Sequence, residues 1–106
     1  MITLNIKEDF TSTPGARIIS DGKFSGQAFY ETKLKESFEK AISQKVKLKV
    51  ILDGVEGYMS SFLNESFSLL GNEFGADLVW RNIIIISNEV PKYINKIKES
   101  VYEQRG

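Results

Sequence analysis

Two short runs carry apolar side chains at every position. One is Val50-Ile51-Leu52, which closes a strand-like segment from Val46 to Asp53; the other is Ile83–Ile86. A strand with one solvated face alternates apolar and polar residues. A strand without that alternation is covered on both faces, as strands of parallel sheets are. Between the two runs, Leu63, Phe67, Leu70 and Phe74 recur at helical spacing, and Phe62 and Leu69 widen the stripe. This predicts a helix over about 61–74. A strand, a helix and a second strand in that order make a right-handed crossover unit, so the chain is predicted to be an α/β fold.

The flanks extend the pattern. Ile2, Leu4 and Ile6 alternate with Thr3, Asn5 and Lys7, the signature of a half-buried strand. Thr11–Gly15 contains Pro14 and reads as a turn, and Arg17–Ser20 suits a second short strand, which together predict an N-terminal hairpin. After the Asp21-Gly22 turn, Ser25 is a suitable N-cap for a helix over about 26–43. Tyr30, Leu34, Phe38 and Ala41 form its stripe, with Glu31–Lys35 and Glu36–Lys40 as i,i+4 pairs. Gly75 suits a left-handed C′ position, and Trp80 is placed to pack at the base of the strand that follows. Pro91 fits the first turn of a last helix whose buried stripe is Val90, Ile94, Ile97 and Val101, with Tyr93 and Tyr102 beside it. The predicted order is β-β-α-β-α-β-α: a single domain over 1–106, with a mixed, mainly parallel open sheet and flanking helices.

Composition narrows the chemistry. The chain has no histidine and no cysteine, which removes the usual general base, the commonest metal ligand and any thiolate. Neither a catalytic residue nor a cofactor or metal is expected, and the protein is predicted not to be an enzyme. Lys plus Arg is 14 and Asp plus Glu is 14, without the basic surplus of a nucleic-acid binder. Lys45, Lys47 and Lys49 along one strand, and Lys92, Lys96 and Lys98 on the last helix, read as solvated faces. The start MITLNIKEDF carries acids and does not resemble a signal peptide, and Ile83–Ile86 is too short to span a bilayer. No nucleic-acid or membrane partner is expected, and a cytoplasmic location is. The oligomeric state is not legible.

Ligands of open α/β sheets bind at the carboxyl ends of the strands. Here those ends are Asp53 and Ser87, and the fuller constellation follows Asp53. A turn with Gly54 and Gly57 leads to Tyr58-Met59, then to Ser60 and Ser61 at the start of an amphipathic helix. A helix N-terminus tolerates added negative charge, so a phosphoserine there would change the surface without unfolding the domain. Tyr58 and Met59 suit a docking face. The plainer reading makes Ser60 or Ser61 an N-cap, Glu65 a first-turn acid favoured by the dipole, and Asp53 a strand terminator. A weaker constellation would gather Asp53, Glu56 and Glu65 around a hard cation.

These motifs resemble the STAS-like domains, relatives of the anti-sigma-factor antagonists, over roughly residues 15 to 90. The resemblance rests on Phe24-Ser25-Gly26 before the first long helix, Val50–Leu52, Asp53-Gly54-Val55, and Ser60-Ser61-Phe62-Leu63 with Glu65, Ser66-Phe67, Leu70 and Gly71. It implies an open sheet with a strand–turn–helix recognition surface. In the antagonists, a serine at this helix start is phosphorylated by a serine kinase of the histidine-kinase-like ATPase superfamily. The resemblance therefore implies Ser60 as phosphoacceptor, with Ser61 adjacent, and a partner of that ATPase superfamily. Met59 and Phe62 stand where the antagonists' motif has an acid and a glycine. The partner-binding residues expected are Asp53, Gly57, Tyr58, Met59, Ser60, Ser61, Phe62 and Glu65. The resulting expectation is a regulatory protein-binding module, anti-anti-sigma-like and switched at a serine; the alternative is a small-ligand or nucleotide sensor at the carboxyl edge of the sheet.

Overall fold

A computed structural model of the chain describes residues 1–105. Strands β1 (Ile2–Asn5), β2 (Leu48–Ile51) and β3 (Ile83–Ile86) form one sheet in the order β1-β2-β3, with both pairs parallel. Ile2 faces Leu48, and Leu48 faces Ile83. The helices are α1 (Ile6–Asp9), α2 (Gly26–Phe29), α3 (Lys35–Ser43), α4 (Ser60–Phe74), α5 (Ala76–Arg81) and α6 (Lys92–Tyr102). A π-helical stretch, Tyr30–Leu34, joins α2 to α3, so Gly26 to Ser43 is one continuous helical rod, as its periodicity predicts.

Caps close both ends of that rod, and the one at Ser25 is the one the sequence predicts. Ser25 is fully buried, and its hydroxyl accepts from the Ala28 amide at 3.1 Å. At the far end Lys45 adopts a positive φ of 58°, while the Lys45 and Val46 amides reach back to the carbonyls of Ile42 and Ala41. That bond pair is the Schellman stop, here with lysine in place of the usual glycine. Neither predicted i,i+4 pair, Glu31–Lys35 or Glu36–Lys40, closes a salt bridge among the described residues. Glu31 lies inside the π stretch, whose wider turn takes i and i+4 off one vertical line. Lys35 instead reaches Glu73 of α4 at 2.8 Å, and the Tyr30 hydroxyl donates to the same carboxylate.

One sheet face carries the core. Leu4, Leu48, Val50, Ile83 and Ile85 pack against Phe29, Leu34, Phe38, Phe67, Leu70 and Ile97 in a single cluster fed by helices α2 to α6. Helix α4 lies across its centre between α2 and α6, and two glycines set the spacing. A Cβ on Gly71 would lie 2.0 Å from the Val101 carbonyl oxygen, and one on Gly26 would lie 2.5 Å from the Phe62 carbonyl oxygen. These helix backbones touch with no room for a methyl group.

The structure departs from the predicted pattern in four ways. The N-terminal hairpin is absent, and the sheet is wholly parallel rather than mixed. After Asn5 the chain turns into α1 through a reciprocal cap: the Glu8 amide donates to the Asn5 side chain, and the Asn5 amide donates to the Asp9 carboxylate. The Asn5–Asp9 bond occupies a backbone donor that a further strand would need, and Ile19–Asp21 forms a 3-10 turn instead of a strand. Helix α5 went unpredicted because six residues are too few to show a period. Gly75 separates it from α4 with a positive φ of 94°, and Trp80 on α5 packs against the core, as its position suggested. Finally, the sheet is covered on one face only. Ile51, Ile84 and Ile86 stand half-buried on the other face, outside the core cluster, so the unalternating runs do not mark two covered faces within this chain.

Candidate functional site

The β2–α4 turn is built around Asp53. Its carboxylate accepts from the Asn88 amide at 3.0 Å and the Glu89 amide at 2.9 Å, while the Gly54 amide donates to the Glu89 carboxylate at 2.7 Å. This clasp ties the carboxyl end of β2 to the loop leaving β3. The Glu89 and Asn88 amides also hold the Asp53 carboxyl below its ordinary range, because they stabilise the ionised form. Asp53 therefore does more than terminate its strand, and its acceptor positions point into the protein's own backbone. Gly57 is exposed with open space around it, so no close approach demands a glycine there.

Tyr58 folds inward. Its hydroxyl donates to the Leu52 carbonyl at 2.8 Å, its amide donates to the Tyr93 hydroxyl at 3.2 Å, and its ring meets Tyr93 edge-on at 5.4 Å. Burial, then the neighbouring Tyr93 and Asp53, push its hydroxyl well above the ordinary phenol range. The cavity these groups leave at the carboxyl edge, between Asp53, Tyr58, Ser87 and Tyr93, is about 10 Å³. That is barely room for one water and far below the size of a ligand pocket.

Met59 and Ser60 face outward. Met59 is 57% exposed. Helix α4 begins at Ser60, and Met59 supplies no side-chain bond at the cap. The Met59 carbonyl accepts from the Phe62 and Leu63 amides, but the Ser60 and Ser61 amides donate to no protein group among the described residues. Neither serine is the N-cap that its position before an apolar stripe suggested, because the helix starts one residue earlier than the stripe implies. Ser60 sits exposed in the first turn, and Ser61 is half-buried.

Two of the expected contact residues are internal. Phe62 is fully buried, stacked on Phe29 with centroids 5.6 Å apart and bordered by Phe10 and Tyr58. Glu65 lies beyond the first turn and is 7% exposed. Its carboxylate meets Arg105 at 2.8 Å and Arg17 at 3.2 Å, and Arg17 also donates to Asn64 at 2.7 Å. Burial alone would raise the Glu65 pKa, but the two guanidiniums outweigh it and hold the carboxyl below its ordinary 4.5. With Asp53 in the clasp and Glu65 between arginines, these acids do not gather with Glu56, and no cluster of metal-ligating side chains occurs among the described residues. A group with a depressed folded pKa contributes stability that is fully present above its unfolded pKa and is lost as pH falls through the folded one. Urea midpoints should thus hold steady above about pH 5 and fall below it. Glu65→Gln should flatten that acid limb while lowering the midpoint at neutral pH, since both arginines lose their charged partner.

Sequence reasoning missed the neighbours of the turn. A Cβ on Gly15 would lie 3.7 Å from the Met59 sulfur, Arg17 reaches α4, and the next two residues, Ile18 and Ile19, are 40% and 46% exposed. The readable signal was Glu65 itself: an acid within the apolar stripe of a buried helix requires a cationic partner from elsewhere.

A family model described as a STAS-like domain of unknown function (DUF4325) matches residues 25–93. No curated protein matches, and no solved structure does.

Proposed function

On the premise that this chain belongs to the STAS-like family, which that match over most of its length establishes, we propose that it is a non-enzymatic regulatory module that docks a protein partner around the start of α4. One observation carries the reading. Ser60 stands exposed on a helix end without a side-chain cap, beside the exposed Met59, and the loop whose Gly15 lies against the Met59 sulfur also carries the exposed Ile18 and Ile19. Apolar side chains held at the surface by a rigid turn favour association, and Met adapts to a range of partner shapes. The free amides of the first turn can receive an anion. A phosphate on Ser60 would add about −1.5 to −2 charge there, next to the exposed Met59, so it would oppose docking. The partner implied by the family resemblance is a histidine-kinase-like ATPase or serine kinase, and the role is anti-anti-sigma-like.

The docking set is narrower than the sequence suggested. Met59, Ser60 and Ser61 remain, Ile18, Ile19 and Arg17 join them, and Phe62, Glu65 and the Asp53 carboxylate become supports beneath the surface. A small-ligand reading gains nothing from the carboxyl edge, which the Asp53 clasp and the Tyr58–Tyr93 pair fill.

Incubation with the cognate ATPase and ATP is expected to incorporate phosphate at Ser60, and Ser60→Ala is expected to reduce incorporation to background. The variant should fold with a stability within about 0.5 kcal/mol of the parent, because the Ser60 hydroxyl makes no protein hydrogen bond among the described residues and the residue is exposed. Labelling that survives in the Ser60→Ala/Ser61→Ala protein would overturn the assignment.

A further inference from the structure

The sheet has a second face, directed away from every helix that builds the core. Its central strand presents Lys49 and Ile51, with Lys47 just ahead of it in the same alternation, β3 presents Ile84 and Ile86, and Thr3 stands across from Lys49 on β1. The three isoleucines are half-buried, and none joins the core cluster. Parallel sheets occur almost only with both faces covered, so this face lacks its cover.

Charge and size define what fits. The strand residues of this face include one lysine, Lys49, and no acid; Lys47, two residues before it and just ahead of β2, extends the same side, and neither lysine forms an ion pair among the described residues. Three strands spaced by about 4.8 Å, each rising about 3.3 Å per residue over four residues, offer a surface of about 14 by 13 Å. One helix, about 10–12 Å across and rising about 1.5 Å per residue, covers that area with roughly nine to twelve residues. A second copy of the same face fits poorly. Stacked sheets lie about 10 Å apart, and two-fold stacking would bring the central-strand lysines of both copies into one water-poor layer. A helix with an apolar stripe between rows of acids supplies both the burial and the neutralisation.

We propose that this open face, Lys47 and Lys49 with Ile51, Ile84 and Ile86, is the docking site for one amphipathic acidic helix of a protein partner. It lies on the opposite side of the sheet from α4, so it is independent of the Ser60 surface and stands or falls separately from it.

The test uses the full chain and two stapled helical peptides, because a free helix this short is marginal in water. Both carry the same leucine stripe, flanked in one by glutamates and in the other by lysines. The glutamate peptide is expected to bind and to shift the amide resonances of Lys49, Ile51, Ile84 and Ile86. Lys47→Glu/Lys49→Glu is expected to weaken it by about tenfold and to let the lysine peptide bind in its place. The fold should be unchanged, since Lys47 is exposed, Lys49 is only half-buried and neither makes an ion pair among the described residues. No binding of the glutamate peptide, equal binding of both peptides, or shifts confined to α4 would overturn the proposal. So would a dimer in sedimentation that Ile84→Ser dissolves, or binding to phosphatidylserine vesicles without binding to the peptide.

Discussion

Gly71→Ala is expected to cost at least about 3 kcal/mol, a large share of the roughly 5–15 kcal/mol that holds a small domain together. The added methyl would sit 2.0 Å from the Val101 oxygen, 2.8 Å from its carbonyl carbon and 3.0 Å from its Cα. All three are backbone atoms, so no side-chain rotation relieves the clash, and α6 must move away from α4. That movement opens the layer where Ile97 and Val101 belong to the same buried cluster as Phe67 and Leu70. Gly57→Ala is the control, because a Cβ there meets nothing within 4 Å. Urea titration of the two variants should separate them widely, with Gly57→Ala near the parent. Equal midpoints would mean that α4 and α6 do not pack as closely as described.

The second large effect is Phe62→Ala, expected to cost about 3–5 kcal/mol. The ring is fully buried among Phe10, Phe29 and Tyr58, and its removal leaves a cavity beneath the turn that carries Met59 and Ser60. Phe62→Leu should recover much of the loss. Met59→Ala gives the contrast that separates support from surface: its stability should change by less than about 0.5 kcal/mol, since the side chain is mostly in water, while partner binding falls. Binding affinity and urea midpoint measured on both variants check this directly. A destabilised Met59→Ala, or a Phe62→Ala as stable as the parent, would reverse the two roles.

Much of the fold was legible because its strongest signals are periodic. The stripe from Leu63 to Phe74 and the stripe from Tyr30 to Ala41 each mark a long helix, and Ser25 marks an N-terminus by its chemistry. What failed was local and short. Arg17–Ser20 has the composition of a strand, but the Asn5–Asp9 bond closes β1 before a hairpin partner can pair. The Ile83–Ile86 run reads as buried on both sides, yet a run of apolar residues reports that a face needs cover, without saying that the same chain supplies it. At the candidate site, Ser60 and Met59 were legible as a surface. Phe62 and Glu65 were misplaced, because one turn of helix exposes some residues and buries others, and the dividing line was set by α2 and by Arg17 and Arg105, distant in sequence. The Asp53 clasp was hidden for the same reason: its partners, Asn88 and Glu89, follow a different strand.

The wholly parallel sheet has a kinetic consequence. With no hairpin, each strand pairs only with one far along the chain, Ile2 with Leu48 and Leu48 with Ile83. No two-stranded nucleus can form from neighbouring residues, and each pairing must first pay the entropy of closing a long loop. The helices, which form locally, are left to organise early, so the sheet assembles on a surface that α4 and its neighbours have already prepared. Folding should accordingly slow when α4 is weakened, even by changes that leave all three strands untouched.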